Sequence, residues 1–152
     1  LAGAHIGQVT IADPVLRERF ARRMSALALS PGAISPVIVE AAYSDEGAAW
    51  LDGLLTYLDA NRAAFDEGIA AIPGLRSMPL EATYLAWVDF SGTGMEASEF
   101  TRRVEQDARI GVNRGPSFGA GGESFLRFNL ATPRTRVEEA VARLQAAFAD
   151  LQ

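Results

Sequence analysis

The chain has 152 residues, long enough to bury a core without a disulfide or metal staple. Its composition, 49% hydrophobic and 22% charged, is that of a globular protein, and a net charge of -5 argues against nucleic acid as a partner. With no cysteine, one histidine (His5) and all 14 positive charges on arginine, disulfides, thiolate chemistry and histidine metal clusters are excluded, and a lysine amine has to come from elsewhere.

The chain opens on LAGAHIGQVTIADP, where His5 to Ala12 reads as a short strand without a lead-in, as in a chain cut from a longer one. Asp13 and Pro14 make a helix start, an acceptor at the N-cap followed by a residue whose missing N–H costs nothing in the first turn. Leu16, Phe20, Met24 and Leu27 then form an apolar stripe, with Arg17, Arg19, Arg22 and Arg23 as a solvated face. Pro31 and Pro36 punctuate the chain before a short helix reaching about Tyr43. A long helix follows from about Glu46 to Ala71, on which Trp50, Leu54, Leu58, Phe65 and Ile69 share a stripe. Pro73 and Gly74 end it and mark the expected boundary between residues 1–72 and 73–152.

Beyond that boundary strands and helices alternate. Thr83 to Phe90 reads as a strand, Glu96 to Ala108 as a helix, Ile110 to Asn113 as a short strand and Phe125 to Leu130 as another. The last helix carries Val137, Val141, Leu144, Phe148 and Leu151 on one face, and Thr135 and Glu138 have capping-box spacing. The fold class is α/β: a small sheet covered by helices, preceded by a helical segment.

Strand alternation puts Leu126, Phe128 and Leu130 on the core face and Phe125, Arg127 and Asn129 on the other. A guanidinium held on a strand beside an amide suits bidentate capture of a carboxylate; the alternative is a surface arginine paired with Glu123 or Glu139. Between the strands, NRGPSFGAGGES has four glycines in twelve residues. A strand follows it, so it fits neither the phosphate loop nor the dinucleotide fingerprint, and it reads as a tight loop at the mouth of a pocket. Asp45 with Glu46, and Glu138 with Glu139, stand at helix starts, where the dipole favours anions. Ser117 and Ser124 lack the surroundings of a nucleophile, and Trp50 and Trp87 read as filling core or inter-lobe space. No metal site is expected.

Three stretches carry a family resemblance: ATYLAWVDF (82–90), GVNRGPSFGAGGESFLRFNLATPR (111–134) and LAGAHIGQ (1–8). They resemble the carboxyl-terminal part of fold-type I pyridoxal-phosphate enzymes of the class I and II aminotransferase group. EAAYSDEGAAWLDGLLTYLDANR (40–62) narrows the likeness to the MalY/PatB branch, the cystathionine β-lyase type of carbon-sulfur lyase. The resemblance implies a small carboxyl-terminal domain preceded by a remnant of the large cofactor domain, with the Schiff-base lysine upstream of Leu1. It implies pyridoxal 5'-phosphate as cofactor, an amino acid as substrate, a homodimer in the cytoplasm, and no membrane or nucleic-acid partner. Arg127 would bind the substrate's α-carboxylate. His5 stands where a basic residue often lies near the cofactor phosphate, and Arg114 where a proline is common. Both lyase and aminotransferase remain open, as does a non-catalytic interaction module with the same fold. The chain alone is expected to be inactive.

Overall fold

A computed structural model describes residues 2–151, which gather into two compact units, one up to Gly53 and one from Leu54 onward. In the first, helix α1 (Pro14–Ala26) starts as the sequence predicts, with the Asp13 carboxylate accepting from Leu16 N at 2.8 Å and Pro14 at the first position. The α2 helix (Ser35–Ala42) follows, and α3 (Asp45–Ala70) begins in this unit and continues into the second. Only Ala4 and Ser35 are buried among the described residues before residue 54, joined by a 2.7 Å hydrogen bond from Ser35 Oγ to Ala4 O. The α1 stripe is present but faces outward: Leu16, Phe20 and Leu27 are exposed. His5 to Ala12 is not a strand. After a 3₁₀ turn at Ala2–Ala4 the backbone is irregular, since no strand among the described residues pairs with it to take up its hydrogen bonds.

The second unit holds the core. Its sheet has the order β1-β2-β4-β3, all antiparallel, from β1 (Arg76–Ser77), β2 (Leu85–Asp89), β3 (Asn113–Arg114) and β4 (Phe125–Asn129). Ala86, Val88, Leu126 and Phe128 point to one face, against Phe65 and Ile69 of α3 and Val137, Leu144 and Phe148 from the last helix, α5 (Arg134–Ala147), and its end. Each of these larger apolar side chains contributes about 1.5–3 kcal/mol on burial. Phe90 stacks on Phe100 with centroids 4.8 Å apart, and Phe65 meets Phe128 at 5.4 Å. The α3 and α5 helices approach closely at Gly68, where any side chain would run into Val141.

The sequence reading differs from the structure at the ends of elements. The helix expected over 96–108 is α4 (Ala97–Arg102) continuing as a π-helical turn, Arg103–Asp107, with Ala108 N donating to Arg103 O. The strand expected at 110–113 is confined to β3, and β1 was not anticipated. The Thr135–Glu138 capping box does not form. Pro133 occupies the N-cap, and the Arg134 N–H donates to the Tyr57 hydroxyl at 2.7 Å, so a distant residue meets the helix's free donor.

Candidate functional site

Antiparallel register places three side chains in one row across the sheet face opposite the core: Trp87 on β2, Arg127 on β4 and Asn113 on β3. Directly opposed residues in a sheet lie about 5 Å apart, so these three are neighbours because of backbone pairing. The Asn113 side-chain oxygen accepts from Arg127 Nη2 at 3.0 Å, so the amide beside the arginine is Asn113 and not Asn129, whose oxygen accepts from Ala131 N at 2.8 Å. Phe118, in the 3₁₀ turn Gly115–Phe118 after β3, lays its ring 4.4 Å from the guanidinium carbon. Trp87 stacks on Phe125 at 5.2 Å and meets Phe118 edge-on at 5.4 Å. Trp87 is therefore a half-buried wall of this site, not core filler, and Trp50 is 67% exposed.

Arg127 is half-buried and its Nε is buried without a hydrogen-bond partner. No carboxylate pairs with it among the described residues. Glu139 is engaged by Arg136 at 3.1 Å and by Arg143, and Glu123 makes no ion pair with Arg127. Asp89, on the same sheet face, is also occupied: it accepts from Ser91 N at 2.9 Å and Ser124 Oγ at 3.1 Å and pairs with Arg76 at 3.4 Å. Burial pushes the Asp89 carboxyl up, but those hydrogen bonds together outweigh it and hold the group below its ordinary value, as an anion. What remains is a cation with aromatic packing, one amide contact from Nη2 and a free Nη1, an arrangement that can receive a small anion such as a carboxylate.

The other sequence candidates lie apart from this row. His5 is exposed, with a left-handed backbone at φ 46, in a shallow cleft with Met24, Leu29 and Pro31. Ser117 donates to Arg114 O at 2.7 Å, and Ser124 is held by Asp89. Arg114 reaches back to Glu105 at 2.6 Å, which tethers the start of the glycine loop and lowers the Glu105 carboxyl. The loop is closed at its neck, where the Gly115 and Gly122 backbones touch and leave no room for a side chain. Among the described residues no group of acidic or histidine side chains is placed to hold a metal, and no helix is long and apolar enough to cross a membrane. Sequence reasoning missed Asn113 and Phe118 as site residues. The signal for Asn113 was cross-strand register, which a single sequence does not print.

No protein-family model matches the chain. It is 30% identical over 149 residues to cystathionine β-lyase PatB of Bacillus subtilis, covering 97% of this chain and 38% of that protein. Against protein MalY of Escherichia coli it is 32% identical over 127 residues, 80% of this chain and 32% of that one. Among solved structures it superimposes on cystalysin from Treponema denticola, a protein containing a pyridoxal 5'-phosphate cofactor, with a TM-score of 0.88 and 30% identity, covering 100% of this chain and 39% of that one. A pyridoxal-phosphate-dependent β-cystathionase from Corynebacterium diphtheriae gives 0.84 and 30%, over 98% and 39%. The chain thus spans less than two fifths of the length of these relatives. Over that span the fold and sequence agree, and the chain belongs to the pyridoxal-phosphate-dependent aminotransferase and carbon-sulfur lyase family, in its PatB and MalY branch, matching the carboxyl-terminal part of its members.

Proposed function

We propose that this chain is the substrate-facing part of a pyridoxal-phosphate enzyme acting on amino acids, a carbon-sulfur β-lyase or an aminotransferase, in which Arg127 receives the substrate's α-carboxylate. The observation that carries the reading is a half-buried guanidinium that pairs with no carboxylate among the described residues, donates from Nη2 to the neutral Asn113 and keeps Nη1 without a partner. Burying a charge without a counter-ion is costly, and a substrate carboxylate removes that cost on binding.

The residues present fit the substrate better than the cofactor. With no lysine the chain has no side-chain amine for covalent attachment of pyridoxal phosphate. When bound, that cofactor supplies the electron sink for bond breaking at the α-carbon. Arg127 supplies orientation: two parallel N–H···O contacts fix the carboxylate plane and hence the direction of the α-carbon bonds. His5 is assigned to the neighbourhood of the cofactor phosphate on the family likeness alone. Residues 1–72 are assigned to the large domain with its inter-domain helix and 73–152 to the small domain, and the scarcity of buried side chains before residue 54 supports a segment built to pack on more protein. A cytoplasmic homodimer belongs to the same proposal, and the cysteine-free composition is compatible with that compartment.

The test is steady-state kinetics on the full-length enzyme. Removing a charge-assisted pair costs about 2 to 5 kcal/mol, so Arg127→Ala should lower kcat/KM by roughly two to three orders of magnitude. Arg127→Lys should recover only part, since a lysine keeps the charge but not the planar fork. An Arg127→Ala enzyme within twofold of the parent would refute the assignment.

A further inference from the structure

We infer that Asn113 and Phe118 are positioning residues for Arg127, and that residue 113 is an amide so that the guanidinium is oriented while its positive charge stays available. The inference rests on the proposal that Arg127 receives a carboxylate.

How Arg127 can bind an anion is set by the geometry of its guanidinium. Four of its five N–H groups lie on two usable edges, a side edge made by Nε and Nη2 and an end edge made by Nη1 and Nη2. In this structure the side edge is closed: Nε is buried, and Nη2 donates to Asn113 at 3.0 Å. One flat face is covered by the Phe118 ring at 4.4 Å. An in-plane hydrogen bond fixes rotation within the plane, and a ring on the face fixes its tilt. The two contacts come from different places, β3 and the turn after it, so together they determine how the guanidinium points. Phe118 is itself braced by the edge-on contact with Trp87. The open edge is the one with Nη1, which takes no partner among the described residues.

The chemistry of residue 113 matters as much as its place. Most arginines of this acidic chain pair with a carboxylate, as Arg62, Arg102, Arg103 and Arg114 do. Arg127 meets a neutral acceptor from a directly opposed strand position, where an aspartate would reach equally well. An amide oxygen accepts one hydrogen bond without cancelling the charge. A carboxylate in the same place would form an ion pair and compete with any incoming anion.

Binding of trifluoroacetate, a minimal carboxylate, to the full-length protein can be followed by ¹⁹F line broadening, with Arg127→Ala defining the part that depends on Arg127. Asn113→Ala and Phe118→Leu should each weaken that part by roughly five- to tenfold, with Phe118→Tyr restoring it. Asn113→Asp should abolish it while the melting temperature holds or rises, because the new pair stabilises the sheet. A merely structural role for Asn113 predicts the opposite order, since aspartate keeps the acceptor. Asn113→Asp binding as well as Asn113→Ala, or Phe118→Leu within twofold of the parent, overturns the inference. Should Asn113→Asp fail to fold, Asn113→Leu, of similar size and lacking the acceptor, decides in its place: binding within twofold of the parent overturns it. If the parent itself shows no Arg127-dependent binding, the functional reading fails first and this one with it.

Discussion

Replacing Asn61 by alanine should be among the most damaging single changes in the second unit. Asn61 lies on α3 and is 0% exposed. Its amide donates to Leu130 O at 2.9 Å and Thr132 O at 2.8 Å, the two carbonyls that turn the chain out of β4, and its oxygen accepts from Arg134 Nε at 2.7 Å. Alanine removes all three hydrogen bonds, leaving the Thr132 carbonyl and the guanidinium nitrogen without them and the Leu130 carbonyl with only the Thr132 N–H. At about 1 kcal/mol for each carbonyl and about 1.5–2 for the charged contact, the loss is roughly 4 kcal/mol. Against a total stability of about 5–15 kcal/mol this is a large fraction, and it corresponds to a fall in Tm of more than about 15 °C for a unit of this size. Urea unfolding followed by Trp87 fluorescence, in a Trp50→Phe background, measures it. Asn61→Asp keeps the acceptor for Arg134 but turns a carboxylate toward two carbonyl oxygens, so it should be no more stable than Asn61→Ala at neutral pH. A loss under about 1 kcal/mol for Asn61→Ala, or wild-type stability for Asn61→Asp, would show that these bonds do not hold the end of β4.

Two further outcomes are expected. Glu99 accepts from Arg102 and Arg103, and these hydrogen bonds, Arg102 first, bring its carboxyl from 4.5 down to about 2. A depressed carboxyl stabilises the fold above its unfolded value and loses that contribution as pH falls from about 4.5 to about 2, so the Tm gap between the parent and Glu99→Gln should close over that window and not change above it. A gap that is constant down to the lowest pH would contradict the pairing. The 152-residue chain, mixed with pyridoxal phosphate and borohydride, should take up a covalent pyridoxyl group only at its amino terminus, and peptide mass spectrometry finding one on a side chain would contradict this.

Local chemistry made much of this fold legible in advance. Asp13 with Pro14 placed the start of α1, and the alternation of Phe125 to Leu130 assigned Arg127 to the face away from the core, as observed. What the sequence hid depends on contacts between distant residues. The β1 strand is two residues that become a strand only by pairing with Val88 and Asp89. The cap of α5 comes from Tyr57, far back on α3, and so the local Thr135–Glu138 spacing was misleading. Trp87 and Asn113 join the site through register, and Phe118 through the fold of a loop whose composition placed it at the mouth of a pocket without saying which side chain would turn inward. The stripe of α3 shows the same limit, since one periodic pattern spans a half with Trp50 exposed and a half with Phe65 and Ile69 buried.

The neck formed by Gly115 and Gly122 has a consequence for how this protein can diverge. Because the two backbones touch, the neck admits no side chain on either residue, and Gly115→Ala would have to pry open the start of β4 as well. The tip between them is not crowded in this way, and lengthening a loop adds closure entropy only slowly, at about 0.6 kcal/mol per doubling. Insertions there and substitutions at Ser117 or Ala120 should therefore be tolerated by the fold while they move Phe118 relative to Arg127, whereas Gly119 and Gly121, with positive φ, favour glycine. The loop can therefore act as a replaceable cassette with a fixed neck: its tip length is the variable through which ligand preference can drift without the sheet being rebuilt.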